Sequence, residues 1–163
     1  MTAFRPGFLL LSAAFLGLAV LSAPLAQAAG GSSDSPQVMA PADPDFTAGK
    51  AAIDRKDWAT AVPLFQKVVA RDDKNADAYN WLGYALRNQG DYPNALIAYG
   101  RALAVNPKHR GAHEYLGEAY LKMNNLPMAE QQLGKLDSLC TFGCPEYTEL
   151  KDKIAAFKAG KPS

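Results

Sequence analysis

Residues 76–109 read ADAYNWLGYALRNQGDYPNALIAYGRALAVNPKH. The stretch is 34 residues long, and its spacing continues outward in both directions. Gly83 has Gly49 a period before it and Gly117 a period after it. Ala95 is matched by Ala61 and Ala129, and Asp91-Tyr92 by Asp57-Trp58 and Asn125-Leu126. Tyr99 aligns with Phe65 and Leu133, and Ala102 with Val68 and Leu136. A period of this length with small residues at two fixed offsets marks a repeat array, in which each unit buries its apolar face only by stacking on its neighbours.

The middle unit resembles the tetratricopeptide repeat. The residues that carry the resemblance are Tyr79, Leu82, Gly83, Leu86, Gly90, Tyr92, Ala95, Tyr99, Ala102 and Pro107. It implies an all-α fold: a right-handed superhelical solenoid of three TPR helix pairs plus a C-terminal capping helix. The units fall at about 42–75, 76–109 and 110–143, within a repeat region of 44–143. In each unit the first helix carries glycine at its eighth position, where two helices cross closely, and the alanine of the second helix is expected to face that crossing. Asp57, Asp91 and Asn125 stand where second helices need N-caps. Pro93 and Pro127 fall in first turns, and Asn106-Pro107 ends a helix. Pro63 lies deeper in its helix and is expected to bend it. Residues 144–160 read as the capping helix. Cys144-Pro145-Glu146 opens it, and Tyr147, Leu150, Ile154 and Phe157 recur at helical spacing. Lys151, Asp152, Lys153 and Lys158 make its other face polar.

The N-terminus has a different character. Arg5 precedes an apolar run from Phe8 to Leu21, Pro24 breaks it, and Ala26-Gln27-Ala28 has the small-x-small form of a cleavage site. The run is shorter than the ~20 residues that span a bilayer. Residues 1–28 therefore read as a signal peptide cleaved after Ala28, and the protein is expected to be exported, in a bacterium to the periplasm. Residues 29–43, rich in small residues, serine and proline, read as a flexible tether. The whole chain has formal net charge +1. Removing residues 1–28 takes away Arg5 and no acid, which leaves zero. A neutral chain lacks the basic stripe of a nucleic-acid binder and the charge that holds a protein on anionic lipid.

Little in the sequence suggests catalysis, and no enzyme activity, cofactor or metal is expected. His109 and His113 are spaced i, i+4, as on one helical face, but no acidic residue completes a zinc motif. His113 stands where the repeat usually places a packing aromatic. Gly30-Gly31 is not followed by the elements of a phosphate loop. Glu114 and Glu118, also i, i+4, read as a solvated helix face.

The resemblance implies a groove lined by the first helices. The family's usual contact positions map here to Phe46, Lys50, Asn80, Trp81, Tyr84, Arg87, Glu114, Tyr115 and Glu118. Four of these nine are aromatic and both charge signs are present, which suits a protein or extended peptide client. Trp81 and Tyr115 would equally serve to pack helix on helix. The carboxylate clamp of chaperone-tail-binding arrays is missing, because Lys50 replaces its asparagine and Trp81 and Tyr115 fill later clamp positions. An extended, partly apolar segment therefore fits better than an acidic tail. Family and compartment together imply a scaffold that assists assembly of a periplasmic complex.

Cys140-Thr-Phe-Gly-Cys144 joins the last repeat to the capping helix. The expected role is a disulfide staple, whose short loop contributes roughly 2 kcal/mol in the entropy model. The alternative is a thiol-redox or copper-handling protein that uses Cys140 and Cys144, with Met123 and Met128 as further soft ligands, on a TPR frame.

Overall fold

The computed structural model describes residues 43–160. The expected signal (1–28) and nearly all of the expected tether (29–43) lie outside the described residues. Seven helices account for most of the described chain: α1 (Pro44–Asp54), α2 (Trp58–Arg71), α3 (Ala76–Asn88), α4 (Tyr92–Val105), α5 (Arg110–Lys122), α6 (Leu126–Leu139) and α7 (Pro145–Lys158). They form three antiparallel pairs, α1/α2, α3/α4 and α5/α6. Each pair packs on the next, and α7 lies across both α5 and α6. This is the all-α repeat solenoid with a closing helix. No described helix is long and apolar enough to cross a membrane.

Local chemistry sets the helix starts. The side chains of Asp57, Asp91 and Asn125 accept from the backbone N–H of Thr60, Asn94 and Met128. Asp43 and Asn75 cap α1 and α3 in the same way. Such a cap is worth about 1 kcal/mol because it satisfies an orphan N–H. Pro145 stands at the start of α7, where its missing N–H costs nothing. Helix α2 is continuous from Trp58 to Arg71 with Pro63 inside it.

The ends of the first helices repeat as strictly as the starts. Lys56, Gly90 and Asn124 all have positive φ, at 58°, 87° and 58°. These three positions are again 34 apart. In each case the next residue's N–H reaches back five residues, from Asp57 to Ala52, Asp91 to Leu86 and Asn125 to Tyr120. This left-handed C-terminal cap suits glycine, tolerates asparagine and disfavours lysine.

The atoms nearest the glycines of the first two units belong to aromatic rings of the second helices. A Cβ on Gly49 would lie 2.8 Å from Phe65 Cζ, and one on Gly83 would lie 2.6 Å from Tyr99 Cε1. Phe65 and Tyr99 are fully buried, while Ala61, Ala95 and Ala129 fill the core beside them. The third unit departs from this pattern. Leu133 stands where the ring should be and packs against the cluster around Leu150. Leu150 of α7 takes the slot instead, with Cδ2 2.6 Å from a Cβ on Gly117. The capping helix thus completes the third unit's core with Leu150 and Ile154, while Tyr147 and Phe157 pack at its edge.

The left-handed caps give a direct test. Lys56→Gly is expected to stabilise the protein by about 1 kcal/mol by relieving a side chain held at positive φ. Gly90→Ala should destabilise it by a similar amount, about 1 kcal/mol, and Asn124→Gly should be nearly neutral. Urea-unfolding midpoints at unchanged slope read all three.

Candidate functional site

The first helices α1, α3 and α5 lie side by side, and one strip of side chains runs across them. At its α1 end, Phe46 meets Phe65 edge-on, with centroids 5.6 Å apart. Lys50 places its Nζ 3.2 Å from the centre of the Trp81 ring. Trp81 contacts Tyr84 at 5.6 Å and Tyr115 at 6.3 Å, and Tyr84 and Tyr115 meet at 5.0 Å. Trp58, which the sequence reading did not assign to the strip, joins it through Tyr84 at 5.9 Å. Edge and tilted arrangements of this kind contribute about 0.5–1.5 kcal/mol per pair beyond burial, so the rings hold one another in place. Trp81, Tyr84 and Tyr115 remain half-buried. They therefore pack helix on helix and still present ring surface.

The charged members sit at the α5 end. Arg87 of α3 lies beside the Tyr84 and Tyr115 rings, with its guanidinium carbon 5.2 Å and 5.5 Å from their centres. It pairs with Glu118 Oε2, and Lys153 of α7 pairs with Glu118 Oε1. Glu114 and Glu118 are 4% and 7% exposed. The expected solvated face is thus overturned. With Leu150 seated on Gly117, α7 covers this part of α5 and brings Glu149 and Lys153 over the two carboxylates. Burial, then a hydrogen bond with the Glu149 carboxyl and the charges of Glu118 and Glu149, push the Glu114 carboxyl up to about 8, while Lys153 pulls it down. Burial first, and then Glu114, push the Tyr115 hydroxyl up to about 12.

Two buried acceptors in the strip lack a hydrogen-bond partner among the described residues: Asn80 Oδ1 and Glu114 Oε1. They occupy the same position in consecutive units. Asn80 is 3% exposed, and its Nδ2 approaches α5 at Gly111, 3.6 Å from where a Cβ would stand.

The histidines do not share a face. His109 lies outside α5 as its N-cap, accepting from Ala112 N–H through Nδ1. That bond leaves the proton on Nε2, which faces Asp77 Oδ1 at 3.0 Å. His113 is buried, with Nδ1 2.8 Å from Gln132 Oε1 and Nε2 3.0 Å from the Pro107 carbonyl. Both rings are structural. Cys140 and Cys144 are joined in a disulfide with Cα atoms 5.6 Å apart, which links the end of α6 to the start of α7. Phe142 at the tip of that loop is 99% exposed.

Besides Trp58, two further features were not legible in the sequence. Glu149 and Lys153 join the strip from α7, which only the docking of that helix decides. A cavity of about 530 Å³ opens elsewhere, between α2 and α4 over Leu82 and Leu86 of α3, and none of the nine expected residues lines it. Its one sequence signal is Ile97, an apolar residue off the buried face of α4 and 62% exposed.

Two family models, both described as Tetratricopeptide repeat, match residues 46–104 and 86–154. Together they span about two thirds of the chain. No curated protein sequence matches it significantly. Among solved structures, the type III secretion translocator chaperone SycD of Yersinia enterocolitica aligns with a TM-score of 0.64 at 19% identity, over 71% of this chain and 82% of its own. SycD in complex with a peptide of the translocator YopD aligns at 0.62 and 19%, over 71% and 88%. The TPR2B domain of yeast Sti1, in a complex with pHsp70, aligns at 0.64 and 17%, over 72% and 95%. At these identities the likeness establishes the fold alone.

The buried carboxyl of Glu114 should make stability depend on pH. Its proton is held more tightly in the folded chain, at about 8 against an ordinary 4.5. The unfolded chain therefore releases the proton first, and stability is lost as pH rises between those values. Glu114→Gln is expected to flatten this slope and to unfold at higher urea than the unmodified protein at pH 8.5. Urea titrations at pH 5, 7 and 8.5 measure it.

Proposed function

We infer the function from one premise: the chain belongs to the tetratricopeptide repeat family. The reading is that it is a protein-interaction scaffold without catalytic activity, and that the strip across α1, α3 and α5 holds an extended, partly apolar segment of a client protein. The observation that carries it is the run of half-buried rings, Trp81, Tyr84 and Tyr115, fixed by one another and flanked by Lys50 and Arg87. Rigid aromatic anchors bind at low entropic cost, and they dominate the energy of small interfaces. Similar folds with a translocator peptide or with pHsp70 in complex support a peptide client.

The client is proposed to belong to the cell envelope. Arg5, the apolar run from Phe8 to Leu21 and Ala26-Gln27-Ala28 support export, and a disulfide between Cys140 and Cys144 suits an oxidising compartment. Assistance in assembling a periplasmic complex is the role that fits both. Both sulfurs are taken up in one bond and Cys144 is buried, so the pair acts in this reading as the link that holds the capping helix.

Trp81→Ala and Tyr84→Ala are expected to weaken client capture by crosslinking in cells at least about tenfold, as hot-spot truncations do, with helical circular dichroism unchanged. Capture equal to that of the unmodified protein would count against the strip. Arg87 is a poorer probe, because its loss strands the buried Glu118 carboxylate. The mature protein should begin at Ala29 in an envelope fraction; a cytoplasmic chain retaining residues 1–28 contradicts export.

A further inference from the structure

At the α5–α7 end of the strip the charges do not balance. Three carboxyl groups meet there: Glu114 and Glu118 of α5 and Glu149 of α7. Two cations serve them, and both bridge Glu118: Arg87 through Oε2 and Lys153 through Oε1. Glu114 faces Glu149, another acid, and its Oε1 accepts nothing among the described residues. A buried carboxyl in this position either keeps a proton or takes a cation from outside.

The surroundings add a second sign. Asn80, at the equivalent position of the preceding unit, also buries an acceptor without a donor. Its amide lies against α5 at Gly111, one turn before Glu114. One residue further along each helix, Trp81 and Tyr115 meet at 6.3 Å. The two empty acceptors therefore belong to the same strip as the rings, and both call for a donor rich in N–H groups. Glu149 is exposed, so the carboxyl pair is open to solvent on the α7 side.

We propose that Glu114 and Glu149 form a seat for a lysine or arginine side chain of the client segment, with Asn80 Oδ1 available to a client N–H beside it. The proposal rests on the reading that the strip binds a peptide, and it names that peptide's chemistry: apolar or aromatic residues over Trp81, Tyr84 and Tyr115, followed by one basic residue toward α7. An entering cation neutralises the carboxyl pair and satisfies Glu114 Oε1. Acidic tails are disfavoured, because they would meet Glu114 and Glu149 directly.

Random ten-residue peptides displayed on phage, selected on the full chain, test this. The selected peptides should carry lysine or arginine at one fixed distance from an apolar or aromatic anchor. Replacing that residue with norleucine should weaken binding about tenfold, as expected for a lost charge-assisted hydrogen bond. In Glu114→Gln, an isosteric change, and in the more exposed Glu149→Gln, the tenfold difference should shrink toward one. In Asp152→Asn, on the polar face of α7, it should persist. Peptides that bind with no basic residue at a fixed position, or whose lysine preference survives in both glutamine variants, overturn the seat while leaving the binding strip standing. Selection of no peptide at all overturns both.

Discussion

The fold depends on one close approach repeated three times: a glycine in a first helix pressed against a large side chain from another helix. Gly49 against Phe65 and Gly83 against Tyr99 bring the helices of a pair to a separation that any Cβ would prevent. The rings at these points are fully buried and have no room to yield. Once each pair is set at that distance, the first helices come to lie side by side. Their outer residues then form a continuous strip.

The third unit shows what happens when the constraint is only half met. Gly117 is present, but Leu133 is not a ring, and the space is filled by Leu150 from α7. The capping helix is therefore part of the core and not merely a cover over an open end. Its position has an electrostatic consequence. Seating Leu150 on Gly117 carries Glu149 and Lys153 onto α5, and two acids that would otherwise face water become buried. Lys153 and Arg87 answer Glu118. Glu114 is left with an acid for a neighbour and a raised proton affinity. The disulfide holds the start of α7 to the end of α6, so the helix that closes the core also delimits the strip.

Much of this was legible in the chain. The 34-residue register exposed the helix pairs and the caps at Asp57, Asp91 and Asn125, and neighbouring residues alone exposed the start of α7 at Pro145 and the nearness of Cys140 to Cys144. These features are local, or they repeat. A cap is a matter of three or four consecutive residues, and a repeat states its packing three times over. The left-handed turns were half legible: Gly90 advertised its position, while Lys56 and Asn124 did so only through the period. The charge state of the strip was not legible. Glu114 and Glu118 have the spacing of an exposed helix face, and nothing within α5 says that another helix will cover them.

Sequence alone determined the repeat, the all-α class and the order of the helices, because backbone preference, capping and periodic burial are written in neighbouring residues. The family resemblance pointed to Trp81, Tyr84 and Tyr115 as groove residues, and these three rings meet across α3 and α5. Tertiary structure alone decided which large side chain meets each glycine, that α7 completes the third unit, and which carboxyl is left without a cation. Those outcomes depend on side-chain reach and on burial between helices that are separate in sequence, with Gly49 and Phe65 16 residues apart and Glu114 and Glu149 35 apart. The energy of a charge is set by what covers it, and the covering helix reaches α5 only when the whole array is assembled.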